Sequence, residues 1–115
     1  MARVLIADDS AVARVSVKKL VVAAGLEVVE KDTAASAADV DPSDLACALL
    51  DLDLGDGWGT EVAAKLRAKH ASLPIAFFTT TTTGEALDEA RALGPVFAKP
   101  SELEAAVAWV RQRAS

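Results

Sequence analysis

The chain has 115 residues and a mass of 11.9 kDa, which is the size of one domain and excludes a multidomain enzyme. A formal net charge of −5 repels phosphate backbones and argues against a nucleic-acid partner, while a single cysteine excludes a disulfide framework. No apolar run approaches the ~20 residues of a membrane span and no signal peptide is recognisable, so we expect one soluble, cytoplasmic domain over residues 1–115.

Strand and helix patterns alternate from the start of the chain. In the first half they predict a strand over 3–8, a helix over 11–24 with Ser10 as its N-cap, a strand over 26–31 and a weak alanine-rich helix over 33–40. An apolar stripe at helical spacing along the first helix comprises Ala13, Val17, Leu20, Val21 and Ala24. We expect this stripe to face the core.

The second half of the chain continues the alternation. It predicts a strand over 45–50, a glycine-rich loop over 55–59, a helix capped by Thr60 and ending near Lys69, and a strand over 75–79. There follow a helix over 84–93 with a capping box of Thr82 and Glu85, a strand over 96–98, and a helix capped by Ser101 and ending near Arg113. Cys47 lies within an apolar strand, and we expect a buried, unreactive thiol.

Five strands in strict alternation with five helices predict an α/β fold with a parallel sheet and helices on both faces. Ligands of such folds bind beyond the carboxyl ends of the strands. Polar residues stand at those ends: Asp8 and Asp9 after the first strand, Asp51 after the third, Thr79 at the end of the fourth and Lys99 after the fifth. We therefore expect these five side chains to converge at one edge of the sheet.

The chemistry of this set of residues points to phosphoryl transfer. Three carboxylates at one edge repel each other unless a cation joins them, and ligands that are all oxygen favour Mg²⁺ over zinc. Lys99 supplies a positive charge for a phosphate and Thr79 a neutral donor. Because no Ser-His or Cys-His pair is present in the set, a carboxylate is the expected nucleophile.

The motifs around these residues resemble those of the receiver domain of two-component response regulators. They read Val-Leu-Ile-Ala-Asp8-Asp9-Ser, then Leu-Leu-Asp51-Leu-Asp-Leu-Gly-Asp-Gly-Trp-Gly, then Phe-Phe-Thr79, then Phe97-Ala-Lys99-Pro100. The resemblance spans the whole chain, with each motif at its expected strand end. It implies a flavodoxin-like fold with five parallel strands in the order 2-1-3-4-5.

The resemblance also implies an acceptor and a metal site. Asp51 would accept a phosphoryl group from a phosphohistidine on a histidine kinase or a histidine phosphotransferase. Asp9 and Asp51 would bind Mg²⁺ directly, Asp8 would act through water, and the backbone carbonyl of Asp53 would be a further ligand. The domain would promote only its own phosphorylation and dephosphorylation, so we do not expect an enzyme acting on other substrates.

A switch is implied as well. Thr79 and Lys99 would contact the phosphoryl oxygens, and Phe97 occupies the position of an aromatic switch whose ring moves inward when Thr79 turns toward the phosphate. An output protein would then read the face formed by residues 84–113. The Lys99–Pro100 peptide bond is often cis in this family.

The sequence departs from the family pattern near the acceptor. Gly55 replaces a usual proline, Trp58 stands where a small or acidic residue is common, and Thr80 replaces an alanine or glycine. Asp53 places an acid at a position that tunes the lifetime of the phosphate. These differences bear on kinetics rather than on the kind of domain.

Two surfaces are candidates for partner contacts. Trp109 lies about 100° from the apolar stripe of the last helix, so we expect it at the flank or on the surface. On the first helix, Ala11, Val15 and Val22 form a second apolar line opposite the core stripe. Receivers commonly dock their phosphodonor beside this helix.

Two other functions compete with the phosphorylated receiver. One is a pseudo-receiver that uses the same fold only to bind proteins, which a complete set of the five polar residues argues against. The other is a phosphatase of the haloacid-dehalogenase type. Asp51 and Asp53 resemble the paired carboxylates of that family. That family carries the pair on its first strand, whereas here it follows the third.

Overall fold

Five parallel strands form one sheet in the computed structural model, which describes residues 2–115. The strands are β1 (Arg3–Ala7), β2 (Glu27–Lys31), β3 (Leu45–Leu50), β4 (Ile75–Thr79) and β5 (Val96–Ala98). Their order across the sheet is β2-β1-β3-β4-β5. The predicted α/β class, strand order and parallel pairing are confirmed.

Helices cover both faces of this sheet. They are α1 (Ala11–Ala23), α2 (Ala34–Ala38), α3 (Gly59–Lys69), α4 (Glu85–Leu93) and α5 (Leu103–Ala114), and a short 3₁₀ turn spans Pro42–Asp44. One apolar core lies between the sheet and α1 with α5, and a second lies between the sheet and α2, α3 and α4. No helix within residues 2–115 combines the length and apolar character needed to cross a bilayer.

The three central strands are buried because helices cover them on both sides. β4 is buried at every residue, and β1 and β3 are buried at all but one. This explains why their apolar residues are consecutive rather than alternating. Cys47 of β3 has no solvent exposure, and burial raises the pKa of its thiol to about 12, as expected for an unreactive cysteine.

The core stripe predicted for α1 is wider than the buried face. Val17 and Val21 are buried, but Leu20 is 41% exposed and Ala24, the residue after the helix, is also exposed. At 100° per residue, Leu20 points about 80° away from the midpoint between Val17 and Val21. The helix contacts the sheet along a narrow strip, so the prediction that Leu20 and Ala24 face the core is wrong.

Three of the predicted helix caps are also wrong. Instead of Thr60, the N-cap of α3 is Trp58, whose backbone N–H donates to the Glu61 side chain at 3.0 Å. The N-cap of α4 is Gly84, at φ +112°, rather than a box of Thr82 and Glu85. α5 follows Glu102 instead of Ser101, and the Glu102 carboxylate accepts a hydrogen bond from the backbone N–H of Ala98 at 2.8 Å.

Trp109, expected at the flank of α5 or on the surface, is a buried flank residue. Only 9% of the residue is exposed, and it packs into the core shared by α1, α5 and the sheet. The guanidinium of Arg113, one turn along α5, lies 5.8 Å from its ring centroid. A large ring at the flank of a helix reaches the core when neighbouring side chains close over it, which the helical wheel alone does not reveal.

Candidate functional site

Three carboxylates meet where β1 and β3 end side by side. The backbone N–H of Asp51 donates to the carbonyl of Ala7 at 2.8 Å, which holds the two strand ends together. Asp8, Asp9 and Asp51 each offer a carboxylate oxygen, and these oxygens lie within 4.8 Å of one another. Asp8 and Asp51 are buried, whereas Asp9 is exposed. The cluster is thus open to solvent on the Asp9 side.

Lys99 completes the cluster from β5. Its ammonium lies 2.6 Å from Oδ2 of Asp8 and 3.1 Å from Oδ2 of Asp51. The backbone N–H of Lys99 donates to the carbonyl of Thr79 at 2.8 Å, and the following Lys99–Pro100 peptide bond is cis. Its side chain is only 11% exposed. The lysine is therefore a fixed, buried counter-charge.

Backbone donors occupy the remaining oxygens of the two buried carboxylates. Oδ1 of Asp51 accepts from the N–H of Leu52 at 2.7 Å, and Oδ1 of Asp8 accepts from the N–H of Ser10 at 2.9 Å. The guanidinium of Arg14 donates to the backbone carbonyl of Asp8 at 2.7 Å. These bonds fix the orientation of both side chains before any ligand arrives.

Burial dominates the electrostatics of Asp51. Desolvation raises the pKa of Asp51 to about 6, although the charge of Lys99 opposes this shift, and the charge of Asp8 adds to it. Burial also lowers the pKa of Lys99, but its hydrogen bond to Asp8 and the charges of Asp51 and Asp8 outweigh that effect and leave the pKa raised. The lysine thus stays protonated, while Asp51 titrates near neutrality.

The raised pKa predicts that stability falls as pH rises. The folded state keeps a proton on Asp51 up to about pH 6, whereas the unfolded carboxyl loses it near its ordinary value of 3.8. In metal-free buffer at pH 8, we expect Asp51→Asn to raise the free energy of unfolding by about 2 kcal/mol. The gain should vanish near pH 4, as urea denaturation at the two pH values can measure.

The exposed carboxylate of Asp53 provides the control for this measurement. Asp53→Asn removes the same charge two residues away, and we expect little change in unfolding free energy at either pH. A gain from Asp51→Asn that is equal at pH 4 and pH 8 would contradict a buried, titrating Asp51.

The donor set fits a hard divalent cation. Three carboxylates and one ammonium carry a net charge of −2 when all are ionised, which matches Mg²⁺, and every acidic ligand is an oxygen. The carboxylate of Asp53 lies outside this cluster and accepts from the N–H of Gly55 at 3.0 Å. The ligand that the resemblance implies at this residue is the backbone carbonyl of Asp53, not its carboxylate.

Thr79 and Phe97 lie near the cluster but do not bind to it. Thr79 is 2% exposed, and its Oγ1 accepts from the backbone N–H of Thr81 at 3.1 Å. Phe97 is half-buried and packs against the core on the α1 and α5 side of the sheet. Thr79 thus ends β4 at the same edge of the sheet as the cluster, but its hydroxyl is bonded to Thr81.

Gly59 was not singled out in the sequence, yet it positions the acceptor. A Cβ at Gly59 would lie 2.2 Å from the backbone oxygen of Asp51, because α3 begins directly against the end of β3. We expect Gly59→Ala to lower the free energy of unfolding by about 3 kcal/mol, since the backbone must move. Thermal denaturation should show a fall in Tm of about 10 °C.

Gly57 in the same loop offers a matched control. A Cβ there would meet the Cβ of Ala34 at 3.1 Å, a contact that a shift of a few tenths of an ångström relieves. We expect Gly57→Ala to cost less than about 1 kcal/mol. Equal losses for the two variants would show that the approach to Asp51 is not what requires glycine.

Arg14 is the other residue that the sequence did not identify. It lies on α1, donates to the carbonyl of Asp8 and pairs with Glu30 of β2 at 3.3 Å. An arginine on an amphipathic helix ordinarily faces solvent, so the sequence carries no signal for this role. Its contact with Asp8 exists only because α1 and β2 flank the same end of β1.

Comparisons with known proteins agree with this arrangement. The model of the family described as the response regulator receiver domain matches residues 4–111. The chain superposes with a TM-score of 0.86 on a CheY-like response regulator receiver domain protein of Methanospirillum hungatei JF-1, at 23% identity over 99% of this chain and 94% of that one. It superposes on the chemotaxis protein CheY4 of Vibrio cholerae with a TM-score of 0.81 at 27% identity, over 100% of this chain and 99% of that one.

A third similar structure is the signal receiver domain of the response regulator NarL from Mycobacterium tuberculosis. Its TM-score is 0.83 at 24% identity, with 98% of this chain and 95% of that chain covered. Identities this low establish a shared fold alone. No match was found among curated proteins.

Proposed function

The chain belongs to the response regulator receiver domain family, and we propose that it accepts a phosphoryl group from a phosphohistidine onto Asp51. One observation carries this proposal. Lys99 contacts both Asp8 and Asp51, and Asp9 brings a third carboxylate within 4.8 Å, so a buried nucleophile lies beside a fixed cation and a set of oxygen ligands.

The proposed transfer is a displacement at phosphorus. A carboxylate oxygen of Asp51 donates an electron pair to the phosphorus, the new O–P bond forms, and the P–N bond to the donor imidazole breaks with its pair passing to the nitrogen. The reacting Asp51 must be ionised, which its raised pKa of about 6 still permits at neutral pH. Lys99, freed from Asp51, is placed to neutralise a phosphoryl oxygen.

A divalent cation would be held by the carboxylates of Asp9 and Asp51 and by the backbone carbonyl of Asp53, with Asp8 acting through water. Bound Mg²⁺ would supply positive charge to the phosphoryl oxygens during transfer. Asp8 itself, buried against Lys99, keeps the lysine protonated and oriented. The chain thus contributes charge and position, and we propose no catalysis on other substrates.

Phosphorylation would be read through the face formed by residues 84–113. Thr79 is buried at the end of β4, where rotation of its hydroxyl toward a phosphoryl group would break its bond to the N–H of Thr81. The half-buried ring of Phe97 on β5 is placed to move inward in response. Phosphorylation would thus shift the equilibrium between two conformations of this face, which an output protein can distinguish.

The proposed partners are proteins, namely a histidine kinase or histidine phosphotransferase as donor and an output protein as target. The exposed apolar residues of α1, which include Val12, Val15 and Val22, offer a surface beside the site for the donor. We place the chain in the cytoplasm as part of the same proposal. A net charge of −5 remains unfavourable for nucleic acid.

The position of Asp53 disfavours the phosphatase alternative. A general acid or base must reach the reacting group, but the carboxylate of Asp53 is exposed and accepts from Gly55 outside the cluster.

The contacts of Lys99 disfavour the pseudo-receiver alternative. A domain that only binds proteins has no need for a lysine that bridges two buried carboxylates, because such a buried ion pair contributes little stability by itself.

The proposal is tested by locating the phosphoryl group. We expect acetyl phosphate with Mg²⁺ to add one phosphoryl group, and borohydride reduction followed by peptide mass spectrometry to place it on Asp51. Asp53→Asn should still carry the label on Asp51, because the carboxylate of Asp53 lies outside the cluster and accepts from Gly55. A label on Asp8, Asp9 or Asp53 in the wild-type chain would contradict the assignment.

A further inference from the structure

The loop that follows the acceptor is tied to a distant helix by Asp56. Oδ1 of Asp56 accepts from the backbone N–H of Ala34 at 2.7 Å, and Oδ2 accepts from that of Ala35 at 3.1 Å. Both N–H groups belong to the first turn of α2, where the helix itself provides no acceptor. One side chain therefore joins the tip of the β3–α3 loop to α2.

This tie completes the cap of α2. The side chain of Thr33 accepts from the N–H of Ser36 at 3.1 Å, and its backbone carbonyl accepts from the N–H of Ala37 at 3.1 Å. With Asp56, the N–H groups of Ala34, Ala35 and Ser36 all have a side-chain partner. The hydrogen bonds from the Ala34 and Ala35 N–H groups, in that order, lower the pKa of Asp56, so the tether is ionised at neutral pH.

Within residues 2–115, Asp56 is the side chain whose hydrogen bonds join the loop tip to α2, whereas the carboxylate of Asp53 accepts from Gly55 within the loop itself. Asp56 stands between Gly55 and Gly57, and Gly55 adopts φ +83°, so the backbone on either side is permissive. The loop closes below the tip through a bridge between Asp53 and Trp58. Asp56 thus adds two directed hydrogen bonds to the apolar packing of Leu54 in the same core as α2.

The same loop forms one wall of the cation site. Gly55 lies so close to Asp9 that a Cβ would be 3.7 Å from Oδ2 of that carboxylate. Asp53, whose backbone carbonyl the proposed function assigns to the metal, is two residues before Gly55. Movement of the loop would therefore change the distance from this carbonyl to the carboxylates.

We propose that Asp56 is a positioning residue for the divalent-cation site, which acts by clamping the β3–α3 loop onto α2. This inference rests on the proposed function, because it takes Asp53 as a ligand. Outer residues that orient metal ligands commonly change affinity by about 10- to 100-fold when they are removed. The clamp consists of the two hydrogen bonds between Asp56, at the Gly-Asp-Gly tip of the loop, and the first turn of α2.

The test compares Mg²⁺ affinity across matched variants, using MgCl₂ alone and intrinsic tryptophan emission, since Trp58 is exposed in the same loop. We expect Asp56→Ala to weaken binding about tenfold. Asp56→Asn should be intermediate, because its amide oxygen can keep one of the two bonds. Amide hydrogen exchange at Ala34 and Ala35 should accelerate in Asp56→Ala even without Mg²⁺.

Two controls separate the clamp from helix stability and from charge. Thr33→Ala removes the other cap of α2, and Asp39→Ala removes one negative charge at the opposite end of that helix. Both should bind Mg²⁺ within about twofold of wild type, a difference of only about 0.4 kcal/mol. Wild-type affinity in Asp56→Ala, or an equal loss in Thr33→Ala, would overturn the inference alone. Absence of Mg²⁺ binding by the wild-type chain would overturn the proposed function with it.

Discussion

Replacing Asp51 by asparagine is expected to abolish phosphorylation by acetyl phosphate or a histidine kinase. An amide lacks the carboxylate electron pair that forms the O–P bond, and the buried Asp51 is the carboxylate to which the proposed function assigns the phosphoryl group. We expect the initial rate of labelling to fall by at least about 100-fold, which corresponds to about 2.7 kcal/mol of barrier. Radiolabel incorporation with Mg²⁺ measures it.

Folding provides the control for this loss. Asp51→Asn should be at least as stable as the wild-type chain at pH 8, because it removes a buried charge whose pKa is raised. Loss of labelling in a variant that remains folded thus reports the missing nucleophile. Labelling that persists at the wild-type rate would exclude Asp51 as the acceptor.

Replacing Lys99 by methionine is expected to destabilise the metal-free protein more than any other single change in the cluster. The substitution leaves Asp8 and Asp51 buried without their counter-charge, and breaking a buried pair in this way costs about 3–5 kcal/mol. Protonation of Asp51 limits the cost at low pH, so we expect the loss to be smaller at pH 5 than at pH 8. Urea denaturation without Mg²⁺ measures both.

Mg²⁺ should restore part of the stability that Lys99→Met loses, because a divalent cation replaces the missing positive charge between the carboxylates. Lys19→Met provides the control, since Lys19 is exposed on α1, and there we expect a change within about 0.5 kcal/mol. If Lys99→Met were as stable as wild type at pH 8, the ammonium would not be the counter-charge that holds the cluster together.

Part of the fold and of the site around Asp51 could be predicted from local sequence patterns. The consecutive apolar residues of β1, β3 and β4 required burial on both faces, and this requirement, with strict alternation of strands and helices, predicted the parallel sheet. A polar residue at the end of each such strand then had to lie at one edge. The local pattern was therefore sufficient for the fold class and for the elements that carry Asp8, Asp51, Thr79 and Lys99.

What the local pattern could not predict depends on neighbours distant in sequence. Leu20, expected in the core, is exposed, and Trp109, expected at the flank or surface, is buried, because helical periodicity gives a direction around the helix axis but not the width of the surface packed against it. The helix caps differed for a similar reason. α3 begins at Gly59, two residues before the start that a cap at Thr60 implies, and Gly59 lies directly against the carbonyl of Asp51.

By itself, the sequence determined which residue types stand at the strand ends, and hence a cation-binding edge in a parallel α/β fold. Only the tertiary structure decided that Lys99 bridges Asp8 and Asp51, that the carboxylate of Asp53 lies outside the cluster, and that Asp56 reaches α2. The charge and hydropathy of each segment can be read directly from its amino-acid sequence. Hydrogen bonds of about 3 Å between segments depend instead on how helices and loops pack, which is decided by the whole core at once.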